Sequence, residues 1–287
     1  VDITSDGTTI VVGANFEDPS SLSNAGAAYV FKFNSGSWSQ IQKLVASDKA
    51  ANDNFGINVA IASDWIAVGA NFDDVGTDVD AGSVYLFQYA SGSWAEQARI
   101  SSASTTAGDG FGRSVALDDS GTCIALVASA IGVDAVETDQ GATYRFQLDG
   151  TIWRETHRML ASDGGQNDYF GYDVDISGDW VVVGAYQHDT SSDSNRGAAY
   201  VYEIECVEFG GGGGGEPCDP TGFEPCEDFG GNGVVDLSDL MILVNAIANH
   251  SCDLKLDLSG NGSVDLADVA LLLSALDGSS RVDRGSK

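Results

Sequence analysis

The chain has 287 residues, with 36 glycines but only 4 prolines, and 43 acidic against 13 basic residues give it a formal charge of −30. That length allows about two domains and a sizeable core, while a field of that sign repels nucleic acid and anionic membranes and attracts metal cations. No apolar run approaches the ~20 residues of a membrane-spanning helix, so neither nucleic-acid binding nor membrane insertion is expected.

The chain opens at Val1 already inside a strand-like segment, "VDITSDGTTIVVGANFED", as a mature or truncated piece would. The pattern then recurs. "NDNFGINVAIASDWIAVGANFDD" starts at Asn52, "GDGFGRSVALDDSGTCIALVASA" at Gly108 and "NDYFGYDVDISGDWVVVGAYQHD" at Asn167. Their Phe-Gly pairs, at 55–56, 111–112 and 170–171, lie 56 and then 59 residues apart. A second half follows each time: "GAAYVFKFNSGSWSQIQKLVASD" from Gly26, "GSVYLFQYASGSWAEQARISSAS" from Gly82, "GATYRFQLDGTIWRETHRMLASD" from Gly141 and "GAAYVYEIE" from Gly197. Four copies result, at about 1–54, 55–110, 111–169 and 170–205, the first clipped at its start and the last lacking its final strand.

Each copy reads as four short strands, such as "VAIASD", "WIAVGA", "SVYLFQY" and "SWAEQARI", separated by Gly, Asp, Asn and Ser. Four strands in about 50 residues is the size of a β-propeller blade. A lone sheet cannot bury both faces, so the copies must pack face to face, and Trp38, Trp94 and Trp153 are expected as wedges between them rather than as an exposed ligand platform. Two arrangements follow: an arc cut from a larger propeller, whose end copies would expose apolar faces, or a compact four-bladed ring. An acidic loop between second and third strands recurs. In the second copy it holds Asp73, Asp74, Asp78 and Asp80, which could gather around a hard cation or simply be solvated.

With its Phe-Gly junctions and Val-Gly-Ala at Val12, Val68 and Val183, the segment 1–205 resembles the FG-GAP repeats of integrin α-chain propellers and secreted bacterial proteins. The third copy departs, with "VASA" in place of Val-Gly-Ala. Integrin blades often carry a DxDxDG calcium loop between early strands; here those turns, "ASDW", "LDDSGT" and "SGDW", are too short for one.

Residues 206–225 read as a linker, because the six glycines Gly210 to Gly215 behave as flexible coil. Four of the five cysteines, Cys206, Cys218, Cys226 and Cys252, flank that tract or follow it, which suits one or two disulfides in a secreted protein, with connectivity open. Cys123, inside "TCIALVA", reads as a lone buried thiol.

Beyond it, "DFGGNGVVDLSDLMILV" from Asp228 and "DLSGNGSVDLADVALLL" from Asp257 place oxygen ligands at the spacing of an EF-hand loop. The candidate ligands are Asp228, Asn232, the Val234 carbonyl, Asp236 and Asp239 in one loop. In the other they are Asp257, Ser259, Asn261, the Ser263 carbonyl, Asp265 and Asp268. Gly230, at the third position, makes the first loop the weaker. Each loop leads into an apolar helix, and the last ligand is Asp rather than Glu. This duplicated loop and helix resembles a dockerin domain over 226–280, which implies two calcium ions and a cohesin-like protein or cell-surface partner. Cellulosomal dockerins recognise cohesin through positions occupied here by Leu237-Ser238 and Leu266-Ala267, so that particular recognition face is not carried over.

The fold class expected is therefore mainly β, four FG-GAP blades of propeller type plus a small α-helical dockerin-like domain. No catalytic motif is present, and His157, His188 and His250 lie in unrelated contexts that read as surface. The leading function is a secreted, non-catalytic binding and assembly module, located outside the cell or on its surface. In it the propeller takes a protein or glycan and the calcium-dependent tail docks. The alternatives are the C-terminal part of an extracellular polysaccharide-degrading enzyme whose catalytic domain lies upstream, and a structural adhesion protein.

Overall fold

A computed structural model of the protein describes residues 1–189, 194–207 and 209. They form four antiparallel sheets and, among the described residues, no α-helix. The expected calcium ligands from Asp228 to Asp268, the tail helices, His250 and the six-glycine linker lie outside the described residues.

Each sheet is a meander in sequence order. The first holds β1 (Asp2–Ile3), β2 (Thr9–Ala14), β3 (Ala27–Asn34) and β4 (Ser37–Leu44). The second holds β5 (Val59–Ala62), β6 (Trp65–Ala70), β7 (Ser83–Ala90) and β8 (Ser93–Ile100). The third runs β9 (Phe111–Asp118), β10 (Ala125–Ala130), β11 (Ala142–Asp149) and β12 (Ile152–Met159). The fourth has three described strands, β13 (Phe170–Ser177), β14 (Trp180–Ala185) and β15 (Ala198–Glu203). Register makes the copies superposable residue by residue. The pairs Thr9↔Lys32, Trp65↔Gln88, Ala125↔Gln147 and Trp180↔Glu203 occupy one position in the four sheets.

Because side chains alternate across a strand, each middle sheet buries two faces. Ile66 and Val68 point toward the first sheet, in a layer with Val11, Val30 and Leu44. Trp65 and Ala67 point the other way, in a layer with Leu126, Phe146 and Trp153. A third layer joins Val127 and Met159 to Val181 and Val183. Sheets thus stack in chain order.

The Phe-Gly segment fastens each junction. Phe55 donates its amide to the Ala25 carbonyl of the preceding sheet at 3.2 Å, Phe111 to Ala81 at 2.8 Å and Phe170 to Gln140 at 2.9 Å. All three rings are fully buried. Each meets the edge of a tyrosine in its own sheet, Tyr85, Tyr144 and Tyr200 respectively, with centroids 5.3–5.6 Å apart.

Trp94 and Trp153 are buried wedges, as expected, each facing the preceding sheet. Trp38 is 41% exposed, because among the described residues no sheet covers the face of the first sheet it occupies. The last sheet likewise presents Trp180, Val182 and Val201 to solvent. Both ends of the stack therefore carry open apolar faces.

Cys123 is not a lone thiol. It is bonded to Cys206, 83 residues away, just before β10 and just after β15. Sequence reasoning placed Cys206 among the C-terminal cysteines, but the chain after β15 turns back onto the third sheet. There Val207 exchanges two hydrogen bonds with the Gln147 side chain, at 2.7 and 2.8 Å. The guanidinium of Arg145, fully buried, lies against both sulfurs at 3.5 and 3.7 Å, and burial lowers its pKa from the usual value.

Gly69 in β6 shows why the junctions need glycine: a Cβ there would lie 2.0 Å from the Gly112 carbonyl oxygen of the next sheet. Gly184 holds the same position in β14, where a Cβ would find nothing nearer than 3.7 Å. Gly69→Ala should therefore cost about 3 kcal/mol or more through overpacking, and Gly184→Ala less than about 0.5 kcal/mol. Urea unfolding of the two variants checks the contrast; equal losses would refute backbone contact as the cause.

Candidate functional site

The groove begins with one departure from the repeat. At the junction of second and third sheets, Trp153 packs edge-on against Trp65, centroids 5.3 Å apart and planes at 86°. At the junction of first and second sheets Trp94 plays the part of Trp153, but the position of Trp65 is held by Thr9. The missing indole leaves a groove of about 290 Å³. That volume is at the lower edge of the ~300–1,000 Å³ of small-molecule sites, so the groove suits one ring-sized group.

Two strand ends build its aromatic wall. Trp94, 6% exposed, forms the floor, and its indole N–H has no acceptor among the described residues. Tyr89, 38% exposed, tilts over it with centroids 5.3 Å apart and planes at 52°. Lys32 sits 5.9 Å from the centre of the Tyr89 ring, a cation on its face. The β1–β2 turn supplies hydroxyls and an acid on the opposite side. Asp6 accepts the Thr4 hydroxyl at 2.6 Å and the Thr8 amide at 2.9 Å. Those bonds, Thr4 first, hold its pKa below the usual carboxylate value, and Lys32 adds a smaller pull. Ser63 and Asp64, from the β5–β6 turn, close the far rim. The groove thus offers aromatic faces, hydroxyls, two carboxylates and one ammonium, chemistry suited to a hydroxyl-rich ring.

Sequence reasoning missed this site. It set a wedge role above a ligand-platform role for all three tryptophans alike, and the signal lay in the residue opposite each one.

The acidic loops stand elsewhere, beside the Phe-Gly segments, and in each at least one carboxylate is already engaged. In every copy one aspartate closes the loop on itself. Asp18 accepts the Asn24 amide at 2.7 Å, Asp74 that of Asp80 at 3.0 Å, Asp134 that of Asp139 at 2.8 Å, and Asp189 that of Asn195 at 2.6 Å. Asp73 is buried and paired with Arg99, and the Tyr85 hydroxyl donates to it at 3.1 Å. Burial raises the pKa of both Asp73 and Tyr85. Of the two readings of this loop, a cation site or a solvated loop, the geometry favours the second: Asp73 faces a guanidinium and Asp74 a backbone amide. Among the described residues no group of three or more His, Cys, Asp or Glu side chains could hold a metal.

A second buried aspartate precedes each Phe-Gly. Asp53, Asp109 and Asp168 accept the amides of Ala50, Thr106 and Gly165 respectively, and burial raises the first two in pKa. "Asp-x-Phe-Gly" stands in all three quoted repeats, so this cap was readable and was passed over. His157 is exposed on β12, as expected. His188 is not a surface residue: at 8% exposure it occupies the place of Asp73, its Nδ1 2.8 Å from Asp168. Tyr200 donates its hydroxyl to Asp163 beside it at 2.7 Å.

If the loop aspartates serve only the backbone, Asp74→Ala should cost about 0.5–2 kcal/mol. Asp134→Ala should cost a similar amount, and neither loss should depend on calcium. Urea melts in excess calcium and in excess chelator check this. A calcium-dependent difference confined to the wild type would reinstate a metal.

No curated protein sequence matches the chain. A family model described as FG-GAP repeat matches it three times, over residues 38–87, 94–146 and 153–202, together more than half of its length. Each match starts on the tryptophan strand of one sheet and ends in the third strand of the next, so the repeating unit straddles the Phe-Gly junction described above. The chain belongs to the FG-GAP repeat family.

Proposed function

We propose that the protein is a secreted, non-catalytic binding and assembly module: the groove between first and second sheets holds a glycan, and a calcium-loaded tail docks to a cohesin-like protein or surface component. The observation that carries the reading is the replacement of tryptophan by Thr9, which opens an aromatic groove at one junction while the next stays filled. Sugars stack their C–H faces on tyrosine and tryptophan, and their hydroxyls pair with donors and acceptors of the kind that line this rim. The net charge of −30 disfavours an anionic ligand. A disulfide between Cys123 and Cys206 supports an oxidising, extracellular setting.

The groove is tested by screening the whole chain against neutral oligosaccharides, then titrating the strongest binder. Thr9→Trp should restore the tryptophan pair, fill the groove and abolish binding while Tm is kept or raised. Tyr89→Ala should weaken binding by about 10-fold or more, the scale of one lost aromatic contact. Unchanged affinity in Thr9→Trp would place the ligand elsewhere.

The tail is tested through its metal. Two helices of the length expected there would bury too little apolar surface to offset chain entropy alone, so calcium should supply the missing free energy by linkage. Circular dichroism of the whole chain should gain helical signal on adding calcium and lose it with chelator. Asp257→Ala should reduce the gain more than Asp228→Ala, because the first loop already lacks a side-chain ligand at Gly230. Equal helicity in excess chelator would overturn the calcium reading.

A further inference from the structure

Arg145 breaks the repeat at a position that is apolar in every other copy. Strand register gives it, in β11, the place that Val30 holds in β3, Leu86 in β7 and Val201 in β15. Burying a guanidinium is costly unless an anion answers it, and Arg145 is fully buried. Among the described residues no carboxylate pairs with it. Its Nη1 reaches the Thr156 hydroxyl at 3.3 Å and the Gln147 side-chain oxygen at 3.5 Å, and its Nε has no acceptor there. Asp179, in the turn before β14, and His157, on β12, interact with it only at a distance.

What lies against Nη2 is the bond between Cys123 and Cys206, one sulfur at 3.5 Å and the other at 3.7 Å. Sulfurs joined to each other are neutral and weak acceptors. A sulfur released from the bond as a thiolate is the anion that this cation lacks. The guanidinium thus favours the open bond over the closed one, and it stands by whichever sulfur departs. A thiol leaves faster, and is held reduced more readily, the more its thiolate is stabilised. Both cysteines are only half-buried, so a small reagent can approach them. A staple with a purely structural role would be served better by leucine, as in β7.

We infer that Cys123 and Cys206 form a thiol–disulfide exchange site for a dithiol reductant, with Arg145 as its positioning residue. One thiolate of the reductant attacks a sulfur of the pair. The S–S bond breaks, and its electron pair passes to the other sulfur, which stays as a thiolate beside Nη2. The second thiol of the reductant gives its proton to the attacked protein sulfur and displaces it from the mixed disulfide. The reductant ends as a disulfide, two electrons poorer, and the protein ends with one thiol and one thiolate, the remaining proton having gone to solvent. The inference rests on neither the glycan groove nor the calcium tail.

Differential alkylation read by peptide mass spectrometry tests it on the whole chain, because it resolves Cys123 and Cys206 from Cys218, Cys226 and Cys252. In dithiothreitol redox buffers the wild-type bond should open at a ratio of reduced to oxidised reagent at least about 10-fold lower than in Arg145→Leu, a shift of about 30 mV. Leu86 fills that position in the second sheet, so the variant should fold with its Tm kept or raised as an unpaired buried charge disappears. Once the bond is open, the alkylation rate of the faster cysteine should rise with pH at a midpoint at least about one unit lower in the wild type than in the variant. A change of packing alone would not move that midpoint. Either of two results would overturn the inference: opening at the same ratio in both proteins, or a wild-type midpoint near the ~8.5 of an ordinary thiol. The second needs no variant, so it decides the matter even where Arg145→Leu does not fold.

Discussion

Where one sheet meets the next, backbone touches backbone, and only hydrogen on a second-strand Cα leaves room for it. At Gly13 and at Gly69 an added Cβ would lie 2.0 Å from the carbonyl oxygen of the glycine in the following Phe-Gly. That closeness brings the phenylalanine amide within reach of the preceding sheet and sets its ring beneath a tyrosine. The apolar layers between sheets, the capping aspartates and the loops all follow from this spacing. At the third junction Ser129 stands where glycine is expected. Its hydroxyl accepts the Ser114 amide at 3.0 Å, and the sheet accommodates it with a register shift between Ala128 and Ala130.

Because the copies share one register, their differences can be read as a set. The second-strand position that Trp65 holds is threonine in the first sheet, tryptophan in the second and alanine in the third. Threonine leaves a groove and tryptophan fills it. The alanine junction is where the chain returns past Cys206 to lie on the third sheet. The same framework thus yields an opening, a packed core and a covalent staple by exchanging one residue and its surroundings.

The strands and the wedge role of Trp94 and Trp153 were legible because period-2 alternation and repeat spacing are local properties of the chain. Trp38 was misread because its exposure depends on the absence of a neighbouring sheet, which no local pattern encodes. The partner of Cys123 was hidden for a similar reason: its sequence surroundings look like a buried strand, and the bond depends on where the chain goes after β15. His188 looked isolated because its two acids, Asp163 and Asp168, belong to the connection before its sheet. The groove left the faintest trace. It arises from what Thr9 is not, and only strand register reveals which tryptophan it replaces.

Every strand pairing in the stack joins sequence neighbours, whereas the disulfide spans 83 residues. Local hairpins form in microseconds, so each sheet can assemble as the chain emerges, while Cys123 waits for its partner. At ~5–20 residues per second that wait lasts roughly 4–17 s. Cys206 precedes Cys218, Cys226 and Cys252 in the chain. Of the cysteines that follow Cys123 in this sequence, the first to be synthesised is therefore the native partner, and that order favours it over Cys218, Cys226 and Cys252.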